Sequence, residues 1–326
     1  MFEKITIIGC GLIGSSILRN INNNEISKTI TVFDKSKDVI ETIKKENLCS
    51  NVSKDIQSAV KDSDLIILAI PLSSYKEVLL SAKDMFKKGA IITDTGSVKK
   101  EVNKIFENLN LASISWIASH PIAGTEESGP SAGFKDLFKN RWTIICDTKN
   151  SNKDKVEKLK KFWEFLGSKV KLMSIDEHDE MLAATSHLPH LLSYALVNVL
   201  IKKKKGGDIF RYAAGGFADF SRLASSDPTL WAEIFLTNTN EIEVVLDAYI
   251  KQLMNYKNLL LEKDKDSLAA EFAEAKTARE YFMEKHFRSK SSPENNMTIT
   301  KNYVSSPSKK IHGSLKVPGD KSISHR

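Results

Sequence analysis

A glycine-rich motif near the start of the chain is typical of sites that bind the pyrophosphate of a dinucleotide. Gly9, Gly11 and Gly14 fit G-x-G-x-x-G, after an apolar run and before a helical pattern. The first glycine permits a tight turn, the second lets the backbone approach a pyrophosphate, and the third lets helix and strand pack closely. Free N–H groups at the helix start favour negative charge. The motif therefore predicts a cofactor site formed by Gly9, Gly11, Leu12, Ile13 and Gly14.

Asp34 is the predicted contact for the ribose of this cofactor. It stands at the end of the second predicted strand, about 20 residues after Gly14, where an acidic side chain accepts hydrogen bonds from ribose hydroxyls. A carboxylate there repels a 2′-phosphate, so the sequence predicts NAD. Lys35, the next residue, leaves tolerance of NADP open.

Ser97 and His120 are the candidate groups for proton transfer. Asp94–Lys99 follows a predicted strand and opens a helix, and His120–Glu126 follows the next strand. Both segments would lie at the carboxyl ends of a parallel sheet, where ligands bind in this class of fold. A histidine beside a nicotinamide suits removal of a proton from an alcohol as hydride leaves. Ser97 could instead be only a helix N-cap, and a lone histidine is usually structural.

The elements that must position these residues alternate between strand and helix patterns in the first half of the chain. Predicted strands are apolar runs bounded by polar residues, at 5–8, 29–33, 65–69, 90–93 and 114–118. Two further stretches, 141–146 and 169–173, are predicted edge strands around a helix near 153–167. The pattern predicts an α/β fold, with a Rossmann-type doubly wound, mostly parallel sheet over residues 1–175.

Residues 176–287 have a different pattern, in which helices of period 3.6 replace strands. The predicted helices cover 177–204, 231–262 and 266–286. These helices are more apolar than a thin helical domain of a monomer requires. We therefore expect an all-α dimerisation domain that pairs with a second subunit in a homodimer.

The composition argues against nucleic-acid and membrane partners. The net charge is +7 over 326 residues, but most of the excess lies after residue 287. The basic run Lys202–Lys205 is typical of a solvated helix end. No apolar stretch approaches the ~20 residues that span a bilayer, and the first strand leaves no room for a signal peptide. Three cysteines without paired or metal-type spacing indicate reduced thiols, no metal site and a cytoplasmic location.

Five segments together resemble the prephenate dehydrogenase family, which includes arogenate and cyclohexadienyl dehydrogenases. The matching segments are Gly9–Gly14, Asp94–Lys99, His120–Gly129, Ser186–His190 and Gly215–Arg222, the last followed by Ser226-Asp227-Pro228. They follow the family's order over residues 1–286. The resemblance implies an NAD-binding domain joined to a helical dimerisation domain.

The resemblance also implies a role for each residue that matches a family motif. His120 would hydrogen-bond the ring hydroxyl of the substrate and draw off its proton. Ser97 would orient His120 and contact the same hydroxyl. His190 would bind substrate, and Arg222 would bind a substrate carboxylate through its bidentate fork. Thr125–Glu126 would line the entrance or the side-chain pocket.

Structural roles remain open for some of these side chains. Arg222 could form a salt bridge with Asp219 or Asp227, and His190 could be a buried histidine satisfied within its helix. For His187, three residues before His190, we favour a structural role.

The implied reaction is NAD-dependent oxidative decarboxylation of prephenate to 4-hydroxyphenylpyruvate, or of arogenate to tyrosine. Loss of hydride from the hydroxyl carbon builds a carbonyl-like centre. Electrons from the departing carboxylate flow into that centre, and the ring becomes aromatic. Two alternatives remain. One is a β-hydroxyacid dehydrogenase, which usually relies on a lysine in its helical domain, and the other is a non-catalytic, NAD-bound dimeric sensor.

The end of the chain resembles a different enzyme. Residues 288–310 are rich in Ser, Asn, Lys and Pro and are predicted to be a linker. Residues 311–326, with the run Pro318–Arg326, resemble the truncated start of 5-enolpyruvylshikimate-3-phosphate synthase. In that family Lys321, Ser322 and Arg326 would bind phosphate and carboxylate groups. We expect this segment to have no activity by itself.

Overall fold

The structure is a computed structural model that describes residues 1–24, 26–111, 113–146, 151–203 and 210–285. The chain divides into two compact units, of which the first covers residues 1–250 and the second begins at Lys251. The predicted linker 288–310 and the segment 311–326 lie outside the described residues. The resemblance to the start of a second enzyme therefore stays a prediction, as do the domain boundaries at 175 and 287.

The first unit contains a six-stranded parallel sheet. Its strands are β1 Phe2–Ile8, β2 Ser27–Phe33, β3 Asn51–Val52, β4 Leu65–Leu68, β5 Ile91–Asp94 and β6 Ser115–Trp116. The strand order is β3-β2-β1-β4-β5-β6, and every pairing is parallel. The connecting helices are α1 Leu12–Asn24, α2 Lys37–Lys45, α3 Ile56–Val60, α4 Tyr75–Ala82 and α5 Lys100–Leu109. The order reverses between β1 and β4, which confirms the predicted doubly wound sheet.

The central strands are apolar on both faces because both faces are covered. In β4, Leu65 and Ile67 belong to one core cluster, together with Ile17 of α1. Ile66 and Leu68 belong to a second cluster, which includes side chains of α4 and α5. Successive side chains of a strand point to opposite faces, so an unbroken apolar run is what a sheet covered on both sides requires.

A second, three-stranded sheet stands where the sequence predicted edge strands of the first. Its strands are β7 Ala118–Pro121, β8 Trp142–Cys146 and β9 Lys169–Met173. β8 lies in the middle, antiparallel to β7 and parallel to β9, and α6 (Lys153–Phe165) connects β8 to β9. The prediction of one strand over 114–118 is wrong. Ile117 still donates its N–H to Ile92 of β5 (3.0 Å), and the chain then leaves the first sheet to pair with β8.

The rest of the described chain is helical. Its helices are α7 Ile175–Leu182, α8 Leu188–Ile201, α9 Gly215–Ser221, α10 Pro228–Thr237, α11 Thr239–Glu262 and α12 Lys265–Met283. The predicted helix 231–262 is divided at Asn238, between α10 and α11. In the second unit, Tyr256 of α11 contacts Phe272 of α12 edge-on, with ring centroids 5.5 Å apart. None of the helices within the described ranges is long and apolar enough to cross a membrane.

A π-helical turn interrupts the predicted helix 177–204. Residues Ala183–His187 form this turn, and the N–H of Leu188 donates to the carbonyl of Ala183, five residues earlier. Pro189 explains the interruption, because it has no N–H to give to the carbonyl of Thr185 and its ring would crowd that carbonyl in a regular α-helix. The wider turn lets the helical path continue through the proline.

Candidate active site

The glycine loop turns sharply between β1 and α1, as the motif predicts. Gly9 has φ +88°, and a Cβ there would clash with the carbonyl oxygen of Ala69. A Cβ at Gly14 would clash with the carbonyl oxygen of Gly9, whereas a Cβ at Gly11 would meet no atom within 4 Å. The packing of the protein therefore requires Gly9 and Gly14 to be glycine. At Gly11 it does not, and the close approach of a pyrophosphate is the remaining reason for glycine.

Asp34 lies beside this loop, just after the end of β2. One carboxylate oxygen accepts the Cys10 N–H (2.8 Å), and the other accepts the Ser36 N–H (2.8 Å). Each oxygen can accept more than one hydrogen bond, so Asp34 retains capacity for ribose hydroxyls. Leu12 and Ile13 open α1, where free N–H groups favour a phosphate.

His120 is held from one side by a chain of buried side chains. It lies in β7 and is 8% exposed. Its Nδ1 is 2.9 Å from Nε2 of His178, whose Nδ1 is 2.7 Å from Oδ1 of Asp179. The Asp179 carboxylate also accepts the backbone N–H groups of Lys99 and Lys100, both at 2.8 Å. Sequence reasoning missed His178 and Asp179, because the contact with His120 spans 58 positions and no local motif marks it.

His120 is a neutral base at physiological pH. Burial lowers its pKa well below the ordinary value, and electrostatic interactions with His178, Lys99 and His187 lower it further. A neutral imidazole with one nitrogen engaged in the interior has its other nitrogen available to a substrate hydroxyl.

Ser97 lies in the bend between β5 and α5. It does not cap α5, because that helix begins at Lys100 with Lys99 as the N-cap residue and no side-chain cap bond. In the described part of the chain, no hydrogen bond joins Ser97 to His120, whose Nδ1 is engaged by His178 instead. The role of Ser97 in orienting His120 stays a prediction.

Asp94 links the loop that bears Ser97 to the strand that bears His120. Its carboxylate accepts the N–H of Gly96 (3.0 Å) on one oxygen and the N–H of Ser119 (3.1 Å) on the other. Ser119 directly precedes His120, and Gly96 directly precedes Ser97. One buried carboxylate therefore fixes the backbone beside both predicted catalytic residues.

A buried ion pair holds Asp94 in place. Lys99 Nζ contacts Asp94 Oδ2, both side chains are fully buried, and the Tyr75 hydroxyl lies 3.2 Å from the same oxygen. A buried pair is weak evidence for stability, because desolvation of both charges opposes their attraction. The arrangement instead determines where the loop 94–99 lies.

His190 packs flat against Trp231. The two ring centroids are 3.5 Å apart, and the ring planes differ by 18°. The Nδ1–H of His190 donates to the carbonyl of Ser186 (2.8 Å), which leaves Nε2 as an acceptor. Burial lowers the pKa of His190 below its ordinary value. Trp231 is therefore a candidate lining residue of the site, which sequence reasoning missed. The signal in the sequence was an aromatic residue shortly after the matched segment that contains Arg222.

Arg222 forms an ion pair with Glu126. The side chains are 50% and 36% exposed, and they belong to the turn after α9 and the loop after β7. The open alternative of a salt bridge from Arg222 to Asp219 or Asp227 is wrong. Asp227 accepts instead from N–H groups at the start of α10.

Two other predicted residues have local structural contacts. Thr125 Oγ1 accepts the N–H of Glu127 (3.2 Å), and its place in a substrate pocket stays a prediction. His187 is fully buried, and its Nδ1 lies 3.2 Å from Nδ2 of Asn238. Burial lowers the pKa of His187 to about 4, so it is neutral and suited to the structural role that we favoured.

Family models match two consecutive parts of this chain. Residues 17–172 match the family model "Prephenate dehydrogenase, nucleotide-binding domain", and residues 174–274 match "Prephenate dehydrogenase, dimerization domain". A cyclohexadienyl dehydrogenase from Zymomonas mobilis is 38% identical over 281 residues, which cover 86% of this chain and 96% of that protein.

Solved structures show the same similarity. The prephenate dehydrogenase of Aquifex aeolicus, in complex with hydroxyphenyl propionate and NAD+, has a TM-score of 0.80 and 28% identity, over 86% of this chain and 99% of that one. The arogenate dehydrogenase of Synechocystis has a TM-score of 0.73 and 25% identity, over the same shares of the two chains. The chain described here belongs to the prephenate dehydrogenase family.

Proposed function

We propose that this chain catalyses the NAD-dependent oxidative decarboxylation of prephenate to 4-hydroxyphenylpyruvate in tyrosine biosynthesis. The observation that carries the proposal is the buried, neutral His120, which is held at Nδ1 by His178 at 2.9 Å. Its other nitrogen remains for the hydroxyl group of a substrate. Membership of the family removes the β-hydroxyacid alternative.

The residues of the glycine loop fit NAD. Gly11 leaves room for a pyrophosphate, the start of α1 supplies N–H groups, and Asp34 has acceptor capacity for the ribose. The Asp34 carboxylate disfavours a 2′-phosphate. When bound, NAD supplies the nicotinamide ring that accepts the hydride.

His120 has the central role in the proposed chemistry. Its Nε2 accepts the hydrogen bond of the ring hydroxyl. It draws the hydroxyl proton toward itself as hydride leaves the ring carbon that bears the hydroxyl group. The bond between the ring and its carboxylate then breaks, its electron pair enters the ring, and carbon dioxide departs. The proton returns to the oxygen, which becomes the phenol hydroxyl of the product. Ser97 is the proposed second contact of that oxygen.

Arg222 is the proposed anchor for a substrate carboxylate. A guanidinium presents two parallel N–H groups to a carboxylate, a geometry that lysine cannot match. In the structure this group is paired with the carboxylate of Glu126. A substrate carboxylate would therefore exchange with Glu126, and the site stays charge-balanced before the substrate arrives.

The same pair favours arogenate as a second substrate. The side chain of arogenate carries an ammonium and a carboxylate, whereas that of prephenate carries a keto group and a carboxylate. When Arg222 turns to the substrate carboxylate, Glu126 becomes free to accept the ammonium. His190, whose Nε2 is an acceptor, also suits a donor better than a keto oxygen.

Four assays test the proposal. Purified protein is mixed with NAD or NADP and with prephenate or arogenate, and the reduced cofactor is followed by absorbance. We expect turnover with NAD and prephenate, and turnover with NAD and arogenate if Glu126 acts as proposed. Binding of NAD without turnover of either substrate would support the alternative of a non-catalytic sensor.

We also propose that the chain forms a homodimer and works in the cytoplasm. Residues 174–274 match a dimerization-domain model, and in the first unit Leu236 and Val244 are 79% and 70% exposed. Subunit interfaces commonly cover apolar side chains of this kind. Cys10, Cys49 and Cys146 are all free, as expected in a reducing compartment. Sedimentation of the purified protein at several concentrations tests the dimer.

A further inference from the structure

We infer that His178 and Asp179 are positioning residues that fix the tautomer of His120, so that the proton is on Nδ1 and the lone pair on Nε2. The inference rests on the proposed function in one respect, since it concerns the group proposed as the base. It goes beyond that function in assigning to His178 and Asp179 the selection of Nε2 of His120, and not Nδ1, as the reactive nitrogen.

Asp179 can only accept hydrogen bonds when it is ionised. Burial opposes its ionisation, but hydrogen bonds from His178, Lys100 and Lys99 hold its pKa below the ordinary value. The Lys99 and Lys100 N–H groups stand at the beginning of α5, where the helix dipole favours a negative charge. The carboxylate is thus an anion stabilised by N–H groups.

The tautomer of His178 follows from this anion. At 2.7 Å from a carboxylate oxygen, Nδ1 of His178 must carry a proton, because two acceptors at that distance would repel each other. Burial lowers the pKa of His178 despite the opposing effect of Asp179, so the ring is neutral. The Nε2 of His178 therefore carries a lone pair.

The tautomer of His120 follows in turn. Its Nδ1 lies 2.9 Å from this lone pair and must donate, so its single proton is on Nδ1 and its Nε2 is free to accept. His178 and Asp179 are both fully buried. Water therefore cannot replace either partner. When the proton of a substrate moves toward His120, the Asp179 anion stabilises the positive charge through His178.

The charged and titratable groups around His120 come from three elements. His178 lies on α7, Lys99 in the loop before α5, and His187 in the π turn. Burial is the largest cause of the lowered pKa of His120, and these three groups lower it further. A substitution at His178 therefore has two separable effects. It removes the acceptor for Nδ1–H, and it changes the electrostatic surroundings of the ring.

Two substitutions at one position separate positioning from a merely structural role. His178→Leu removes the acceptor, whereas His178→Gln retains an amide oxygen that can accept from His120 Nδ1–H. We expect His178→Leu to lower kcat by ~10²-fold with the KM for prephenate within about twofold, since the base is misoriented and Arg222 is untouched. We expect His178→Gln to recover at least about tenfold of that loss.

Matched measurements keep the test decisive when a variant is unstable. Titration with NAD, followed by fluorescence, reports whether each variant retains the folded nucleotide-binding region. A folded His178→Leu variant with kcat within about threefold of the unsubstituted enzyme would overturn the inference. So would a folded His178→Gln variant that is no more active than His178→Leu.

A second measurement needs no turnover at all. Nitrogen-15 NMR of histidine-labelled protein distinguishes the two tautomers of a neutral ring, and single substitutions assign the 7 histidines of the chain. We expect His120 and His178 both to carry the proton on Nδ1. A proton on Nε2 of His120 would overturn the inference. If the unsubstituted enzyme shows no turnover but the tautomers are as expected, the proposed function fails and the positioning remains.

Discussion

The carboxylate of Glu126 forms an ion pair with the guanidinium of Arg222, which lies 96 positions later in the sequence. The pair is partly exposed, at 36% and 50% for the two side chains, so it contributes little to stability. The ion pair instead affects substrate binding, because a substrate carboxylate has to displace the carboxylate of Glu126 from Arg222.

Substitutions at the two ends of this pair are therefore expected to have opposite effects. Arg222→Ala should raise the KM for prephenate by ~10²-fold and change kcat less, because a charge-assisted, bidentate contact to the ground state is lost. Glu126→Gln should lower the KM for prephenate, since the competing anion is gone, and raise the KM for arogenate. Steady-state kinetics with both substrates measure these values. An unchanged KM in Arg222→Ala would remove Arg222 from the substrate site.

Removal of the proposed base gives the second prediction. His120→Asn should lower kcat by ~10²–10⁴-fold, because an amide has no basic nitrogen that could take the hydroxyl proton. Binding of NAD should remain, since in the described part of the chain the hydrogen bond of His120 goes to His178 and not to the glycine loop. Stopped assays measure residual turnover, and a fluorescence titration measures NAD. Turnover close to that of the unsubstituted enzyme would exclude His120 as the base.

The pH dependence of kcat/KM gives the third prediction. His120 must be neutral to act, so activity is full above its pKa and is lost as the pH falls through it. An unperturbed histidine would place that loss near pH 6.5. Burial, followed by His178, Lys99 and His187, lowers the pKa of His120 well below this value. We therefore expect kcat/KM to remain on its plateau at pH 6.5. An acidic limb centred at or above pH 6.5 would contradict this.

Two glycines of one loop form a matched pair for the fourth prediction. Gly11→Ala should weaken NAD binding by about tenfold or more without loss of stability, because the added Cβ meets no protein atom within 4 Å. Gly14→Ala should lower the free energy of unfolding by ~1–3 kcal/mol, because its Cβ would clash with the carbonyl oxygen of Gly9. Thermal unfolding without NAD and NAD titration separate the two effects. Equal destabilisation by both changes would contradict this assignment.

His187 gives the fifth prediction, which concerns stability and not activity. Its pKa is about 4 in the folded chain and about 6.5 in the unfolded chain. Between these values the unfolded state binds the additional proton, so stability falls by about 3 kcal/mol as the pH drops from 6.5 to 4. Above pH 6.5 this contribution to stability is fully present. Urea unfolding at several pH values measures it.

The control is His187→Gln, which retains an acceptor for Asn238 but does not titrate. This variant should lose less stability than the unsubstituted chain over the same pH interval. At pH 7.5 the two proteins should differ little. A parallel loss of stability in both proteins would assign the acid sensitivity to other groups.

Local patterns were sufficient to predict the nucleotide-binding part of the fold. The apolar strands and the spacing of Gly9, Gly14 and Asp34 depend on residues near each other in sequence, and the strand order confirmed the fold class. The division of the predicted strand 114–118 at Ile117 was not predictable, because it depends on a pairing with β8 formed by residues 142–146.

The candidate site was predictable only one residue at a time. His120 and Arg222 stand in motifs, but their partners, His178 and Glu126, are 58 and 96 positions away. A sequence pattern with a period of two or 3.6 contains no information on such pairs. Pro189 was visible in the sequence, yet a π turn, a kink and a helix end are all possible responses to a proline.

The π turn at Ala183–His187 also restricts how the length of this segment can change. Each residue of an α-helix rotates the path by roughly 100°, so removing one residue here would swing everything after it by that angle about the helix axis. His190 and Trp231, which both follow the turn, would then move relative to His178, which precedes it. Substitutions within this turn are thus expected to disturb the structure far less than insertions or deletions. Natural relatives should differ in the residue types of the turn but not in its length.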